Sequence, residues 1–407
     1  MTSGTRNYAI VTAAYWGFTL TDGALRMLVL LHFFQLGYSP FTLSFLFLLY
    51  EAAGIAANFI GGWLATRFGI TRMLTVGLST QIIGFLVLSG LSPDWAAALS
   101  VAWVVAAQGI CGVAKDLTKT ASKSAIKVVE AEARAEDSEG RLFRWVAWFT
   151  GSKNAMKGAG FFLGGVLLEL LGFRYSLWVM AAALVLILVG VVASLPPMMG
   201  KRKASTSARE LFGKSKGVNL LAAARIMLFG ARDVWFVVGV PVFLYANGWT
   251  FTMVGGFLAV WTILYGLIQA AAPVVISRSA DGLTREVPAA RLWSALLALV
   301  PALIMVALAA GLPVRPDIVL VAGLAVFGAA FAINSSVHSY LILAYAGSEK
   351  AAEDVGFYYA ANAAGRFGGT LLSGLLYQWG GLTACLSGSA LMLLGCFIMT
   401  LLLPVKR

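Results

Sequence analysis

Charge is what this chain has least of. Only 12% of its 407 residues are Asp, Glu, Lys or Arg, 60% are hydrophobic, and the mean hydropathy is +0.85. A water-soluble domain is about a quarter charged and about half apolar, so this composition reads as an integral membrane protein. Cysteine is as scarce. Cys111, Cys385 and Cys396 all lie in apolar segments without CxxC spacing, which argues against a disulfide framework and against a thiolate metal site. Cys385 and Cys396 are about 16 Å apart along a helix, too far to share one ion; all three read as small hydrophobic filler. No HExxH or other hydrolase signature and no GxxxxGK[ST] loop occurs. The chain therefore reads as no enzyme, with no metal and no cofactor, and any work it does draws on gradients or on its solute. Acidic residues number 18 against 30 basic ones, for a net charge of +12 and a pI near 9.7. That balance raises nucleic acid as a partner, but the long apolar runs exclude it, and the basic excess is better read as topology.

What is present is a series of apolar runs long enough to span a bilayer. They fall at 8–35, 41–65, 72–91, 95–120, 142–171, 175–195, 218–245, 251–276, 291–311, 317–345, 355–379 and 382–403. The expected fold is an all-α membrane protein of twelve transmembrane helices in two six-helix pseudo-symmetric bundles. Residues 1–195 form the first bundle, 196–217 a basic cytoplasmic linker with Lys201, Arg202, Lys203, Arg209, Lys214 and Lys216, and 218–407 the second. Basic residues concentrate in the even-numbered loops: Arg67 and Arg72; Lys127, Arg134 and Arg141; the linker; Arg278 and Arg285; Lys350. Odd-numbered loops offer Arg174 and Arg315. By the positive-inside rule both termini are cytoplasmic. The stretch 130–139 is acidic and reads as a solvated loop. Met1 to Tyr8 is short and polar, and the first apolar run is long enough to span, without a cleavage site, so no removable signal peptide is expected.

The halves resemble each other. A shift of 211 places Asp22 on Asp233, Gly37 on Gly248 and Arg67 on Arg278. A shift of 209 places Lys157 on Arg366, Gly160 on Gly369, Gly165 on Gly374 and Gly172 on Gly381. Registers that superpose glycines and charges together imply a parallel six-plus-six repeat around a central cavity.

Cations lie deep in the apolar runs, where they are costly and mark solute pathways or buried ion pairs. Asp22 and Arg26 are four apart and share a helix face, so they can pair with each other, or Arg26 can meet an anion while Asp22 positions it or carries a proton. Arg225 and Arg232 are two turns apart on one side, with Asp233 the one adjoining carboxylate, and Arg suits bidentate grasp of oxyanions. Lys153 and Lys157 repel on neighbouring turns, beside Ser152 and Asn154, with no acid in sequence until Glu169. A bound dianion or a carboxylate from another helix would compensate them. Gly158, Gly160, Gly164 and Gly165 then give a packing surface. Arg366 matches Lys157 in the repeat and stands beside Asn362 and Gly365. Glu51, and Lys115 with Asp116, are candidates of lesser weight. Lys119, Lys123 and Lys127 read as a cytoplasmic helix extension meeting lipid headgroups. His338, after Asn334, Ser335 and Ser336, reads as a satisfied interhelical hydrogen-bonder. Seven cations (Arg26, Lys115, Lys153, Lys157, Arg225, Arg232 and Arg366) against four acids (Asp22, Glu51, Asp116 and Asp233) leave about three charges that a polyanionic solute would balance.

Several segments carry a resemblance. Gly62-Trp-Leu-Ala-Thr-Arg-Phe-Gly69 resembles the loop motif of the major facilitator superfamily, with Thr66 where that motif has Asp and Ile70 and Thr71 where it has basic residues. Gln108-Gly109 and the glycine run after Lys157 look like weaker versions of other superfamily motifs. Residues 15–32, 112–117, 150–158 and 229–237 resemble the organoarsenical efflux permeases of the ArsJ family. That resemblance implies an inner-membrane exporter of 1-arseno-3-phosphoglycerate that confers arsenate resistance. It also implies that a partner glyceraldehyde-3-phosphate dehydrogenase makes the solute and that the solute breaks down outside. It fits a chain without a thiol cluster. The expected substrate-binding set is Arg26, Lys153, Lys157, Arg225, Arg232, Asn362 and Arg366, with Asp22, Asp233, Glu51 and Asp116 as counter-ions or proton carriers. The rival readings are a superfamily transporter of another organic or phosphorylated anion, and a membrane sensor of a phosphorylated metabolite.

Overall fold

The computed structural model describes residues 3–132, 138–197, 215–276, 279, 281–311, 313–346 and 351–405. The linker basics from Lys201 to Lys214, Arg134, Arg278 and Lys350 lie outside the described residues, as do the side chains of Thr66, Arg67, Lys123, Lys127 and Arg141. The described residues are helical almost throughout. In chain order the helices are α1 (Ser3–Gln35), α2 (Pro40–Phe45), α3 (Leu48–Phe68), α4 (Ile70–Ser89), α5 (Ala97–Glu132), α6 (Ser138–Ser194), α7 (Lys216–Phe236), α8 (Gly239–Ala246), α9 (Phe251–Val275), α10 (Glu286–Ala309), α11 (Pro316–Tyr345) and α12 (Ala351–Leu401).

Ten stretches of the described residues are long and apolar enough to cross a membrane. Two of them, Ser152–Ser194 and Gly356–Leu401, run 43 and 46 residues. Each is interrupted by non-helical backbone, at Gly172 in α6 and at Gly380 and Gly381 in α12. Large apolar side chains lie open on the helix surfaces, among them Leu170, Leu186, Trp379 and Leu391, each about 70% exposed. Water would penalise such a surface, whereas hydrocarbon does not.

Two further runs are broken where the sequence shows continuous apolar character. The run 41–65 divides into α2 and α3 at Leu46 and Phe47, and 218–245 divides into α7 and α8 at Val237 and Val238. In α2 the start is specified locally: Ser39 caps by accepting from the Thr42 amide at 3.2 Å, and Pro40 occupies the first helical position. Ser215 caps α7 in the same way, through the Val218 amide.

The chain divides into two compact units. The first holds Met1–His32, Leu49–Thr206 and Phe251–Ile263; the second holds Phe33–Leu48, Ser207–Thr250 and Leu264–Arg407. In the first unit, α1 and α6 meet through small residues. A Cβ on Gly23 would stand 2.7 Å from the Lys157 carbonyl oxygen, and one on Gly164 would stand 2.5 Å from that of Ala24. In the second unit, α7 and α12 meet likewise, and a Cβ on Gly369 would stand 2.6 Å from the Gly230 carbonyl oxygen. In a bilayer, where lipid is as apolar as the helices, such close backbone approach supplies packing energy. The core of the second unit gathers Val218, Leu221, Val287, Val337, Leu341 and Tyr358.

The repeat in the sequence has counterparts in the backbone. Gly37 and Gly248 carry φ of 86° and 87°. Gly37 N–H bonds the Phe34 carbonyl and Tyr38 N–H that of Phe33; Gly248 N–H bonds the Tyr245 carbonyl and Trp249 N–H that of Leu244. Both are helix ends closed by a left-handed residue, a conformation glycine adopts without a Cβ penalty, and all three partners keep the shift of 211. Gly172 and Gly381, with φ of 70° and 61°, keep the shift of 209.

Candidate functional site

Polar residues within apolar helices need partners, and the local ones come first. On α1 the Thr19 and Thr21 hydroxyls donate to the Tyr15 and Phe18 carbonyls, at 2.7 and 2.9 Å, which leaves Asp22 and Arg26 as the groups seeking other helices. They do not find each other. Arg26 pairs with Glu51 of α3 at 2.5 Å, both buried, and Asp22 accepts from the Tyr50 hydroxyl at 2.6 and 2.8 Å. The expected Asp22–Arg26 pair is therefore corrected. Consecutive residues of α3 divide the work, because Tyr50 and Glu51 both reach α1.

The Tyr50 ring also gathers charge. Lys115 Nζ of α5 stands 3.7 Å from its centroid and Arg26 Cζ 5.7 Å. Asp116 is buried between two lysines, with Lys119 at 3.2 Å and Lys115 at 3.7 Å. The first unit thus brings together Asp22, Arg26, Glu51 and Asp116, four of the residues singled out in the sequence. Lys153 and Lys157 lie half-buried on α6, with Lys157 Nζ 5.7 Å from the Phe161 ring centroid. Their neighbour Ser152 accepts from Trp16 Nε1 at 3.1 Å. Glu169 serves a different purpose: it accepts from the Thr252 amide and hydroxyl at the start of α9, at 3.1 and 2.6 Å.

In the second unit one carboxylate holds two guanidiniums. Asp233, fully buried, meets Arg232 at 2.5 Å and Arg366 of α12 at 3.3 Å. The sequence placed no acid beside Arg366. The structure corrects this, because the acid comes from α7. Arg225 is different. It is 3% exposed and donates from Nη1 to the carbonyl and hydroxyl oxygens of Ser335, both at 3.1 Å. Its guanidinium also lies 4.1 Å from the Phe229 ring centroid and 4.8 Å from that of Tyr358. Among the described residues no carboxylate meets it, and its Nε has no acceptor. Arg232 lies 4.9 Å from the same Phe229 ring, so the two arginines flank one aromatic face. Asn362 has a buried Oδ1 without a hydrogen-bond partner among the described residues. His338 is a further correction. It is fully buried, and neither ring nitrogen finds a partner among the described residues, so it is not the satisfied hydrogen-bonder expected.

Neither a protein-family model nor a curated protein sequence matches this chain. Solved structures do. A POT family transporter in complex with 5-aminolevulinic acid superposes with a TM-score of 0.74 at 13% identity, over 99% of this chain and 97% of that one. A POT family transporter in complex with a thioalcohol-conjugated peptide gives 0.73 at 13%, over 97% and 96%. The nucleoside transporter NupG gives 0.72 at 15%, over 97% and 98%. The fold is that of these transporters. At such identities the likeness concerns the path of the backbone, and the chemistry of the site has to come from this chain's own side chains.

Two residues of that chemistry escape sequence reasoning. Tyr50 and Phe229 look like ordinary apolar filler, yet each ring presents its face to two cations. Spacing offers a signal for Phe229, which stands four residues after Arg225 and three before Arg232 and so shares their helix face. For Tyr50 the signal is only its place beside Glu51.

Proposed function

We propose that this chain is a multi-pass transporter of a bacterial inner membrane that exports a small organoarsenical polyanion, 1-arseno-3-phosphoglycerate, by alternating access. The observation that carries this reading is Arg225, a buried guanidinium that meets no carboxylate among the described residues, together with an Asp233 carboxylate shared by Arg232 and Arg366. Among the described residues Arg225 has neutral partners only, the carbonyl and hydroxyl oxygens of Ser335. A buried guanidinium without a carboxylate favours an anionic solute, and its planar fork matches the oxygens of phosphate and arsenate. Substrate contacts fall to Arg225, Arg232, Asn362 and Arg366 in one unit and to Arg26, Lys153 and Lys157 in the other. Asp22, Asp233, Glu51 and Asp116 act as counter-ions when no solute is bound. The resemblance to the organoarsenical permeases supplies the identity of the solute and the dehydrogenase that makes it. In this reading the chain crosses the membrane twelve times, counting the two sides of Gly172 and of Gly380–Gly381 separately, with both termini cytoplasmic.

The test is arsenate accumulation in inverted vesicles supplied with arsenate, triose phosphate, oxidised nicotinamide cofactor and glyceraldehyde-3-phosphate dehydrogenase, each omitted in turn. Accumulation only with the complete set supports the reading. Uptake of arsenate alone, or none with any mixture, overturns it.

A further inference from the structure

Lys115 carries the least satisfied charge of the first unit's cluster. Its side chain is 15% exposed. Its ammonium has three N–H donors, yet among the described residues none has an acceptor at hydrogen-bonding distance. The Asp116 oxygen lies at 3.7 Å, and that oxygen itself has no hydrogen-bond partner. What holds the ammonium is the face of Tyr50, 3.7 Å from the ring centroid. A ring face attracts a cation but offers no lone pair, so the donors of this partly exposed ammonium stay open to the oxygens of a solute. The same ring lies 5.7 Å from the Arg26 guanidinium, and its hydroxyl is engaged with Asp22. Tyr50 therefore sets an ammonium with unused donors and a guanidinium against one platform.

We propose that Lys115, Tyr50 and Arg26 form a subsite for a tetrahedral oxyanion, a phosphate or arsenate group, with Glu51 the carboxylate that the anion displaces. This rests on the transport reading above and extends it to two residues that reading does not use. The charges of the cluster decide the form of the exchange. Arg26, Lys115 and Lys119 stand against Asp22, Glu51 and Asp116, so an arriving oxyanion takes over a cation already paired with a carboxylate. Among the described residues Lys115 has no hydrogen bond to give up, so it receives the first oxygen. Arg26 then exchanges Glu51 for a second, keeping its charge-assisted bonds.

Calorimetric binding of inorganic phosphate and of 3-phosphoglycerate to the purified chain in phospholipid-free detergent tests this, since lipid headgroups are then absent as competing phosphates. Lys115→Gln should weaken both ligands at least tenfold and Lys115→Arg should retain most of the affinity. Tyr50→Phe should stay within about threefold of wild type, because the ring remains. Glu51→Gln should tighten binding, because the competing carboxylate is gone. That opposite sign separates a subsite from mere structural support, which would lower affinity and melting temperature together. Wild-type affinity in Lys115→Gln, or weaker binding in Glu51→Gln at an unchanged melting temperature, overturns the subsite. Oxyanion binding that follows the expected order in a chain that exports nothing leaves the subsite standing and sinks the transport reading. Normal export by Lys115→Gln with wild-type affinity does the reverse.

Discussion

Asp233 holds guanidiniums from two helices of the second unit. With no exposure to solvent it is matched to two half-buried guanidiniums on two helices, so Asp233→Asn leaves both cations sharing a neutral amide. Breaking a buried pair by removing one partner costs about 3–5 kcal/mol, because the partner's charge remains. The melting temperature of the Asp233→Asn protein in detergent should fall accordingly and recover partly on adding millimolar arsenate or phosphate. Unchanged melting would mean that Arg232 and Arg366 are satisfied elsewhere and that the shared carboxylate is incidental. Arg232 and Asp233 are neighbours in the chain and their pairing is legible there. Arg366 and Asp233 are 133 residues apart, so only helix packing discloses that they meet. The same reason hid Glu51 behind the nearer candidate Asp22. Four residues of separation makes a pair possible, but the rotation of α3 decides which carboxylate reaches Arg26.

Glycine positions set the approach of whole helices, and adjacent glycines of α12 make the point testable. A Cβ on Gly369 would lie 2.6 Å from the Gly230 carbonyl oxygen and 2.9 Å from Asp233 Cβ, whereas one on Gly368 meets nothing within 4 Å. Gly369→Ala must push α7 and α12 apart at the level of Asp233, costing about 1–3 kcal/mol. Gly368→Ala should be neutral or stabilising by up to about 1 kcal/mol, the helix preference of alanine over glycine. Comparing the two melting temperatures checks this, and equal shifts would contradict the close packing. A pH effect belongs to the turn before α10. There the Thr284 hydroxyl and amide, Ser279 and the Leu283 amide hold the exposed Asp281 carboxyl well below the usual carboxylate range. A depressed carboxyl stabilises the fold above its unfolded value, near 3.9, and loses that contribution as pH falls through the depressed one. Asp281→Asn should therefore melt below wild type at pH 7, and the gap should close as pH drops under about 4. Helix existence was legible from hydropathy alone. The break at Leu46–Phe47 was not, since it lies within uninterrupted apolar sequence, and the one at Val237–Val238 is signalled not by hydropathy but by Pro241, which has no N–H to bond the Val237 carbonyl.

At the scale of the molecule, the internal repeat was the most legible feature because glycine keeps its register where larger residues drift. Gly37 with Gly248, and Gly172 with Gly381, fall at matched backbone conformations. The membership of the compact units was less visible. Phe33–Leu48 joins the second unit and Phe251–Ile263 the first, on packing against α12 and α6 that no sequence boundary announces. The proposed twelve crossings rest on the repeat and can be tested. Segments of 43 and 46 residues are about 65–70 Å long as helix, twice the roughly 30 Å of hydrocarbon, and each breaks near its middle at a repeated glycine. Two crossings apiece would put Tyr175 and Trp379, both exposed, at the outer surface, opposite the linker residue Ser215. The native cysteines are free and buried, so a new cysteine would be the main target of a membrane-impermeant maleimide. In intact cells Tyr175→Cys and Trp379→Cys should label from outside, and Ser215→Cys only after the membrane is opened. If each segment crossed once, its midpoint would sit in hydrocarbon, where a thiolate does not form. Tyr175→Cys and Trp379→Cys would then stay unlabelled before and after opening, and the twelve-crossing topology would fall with them.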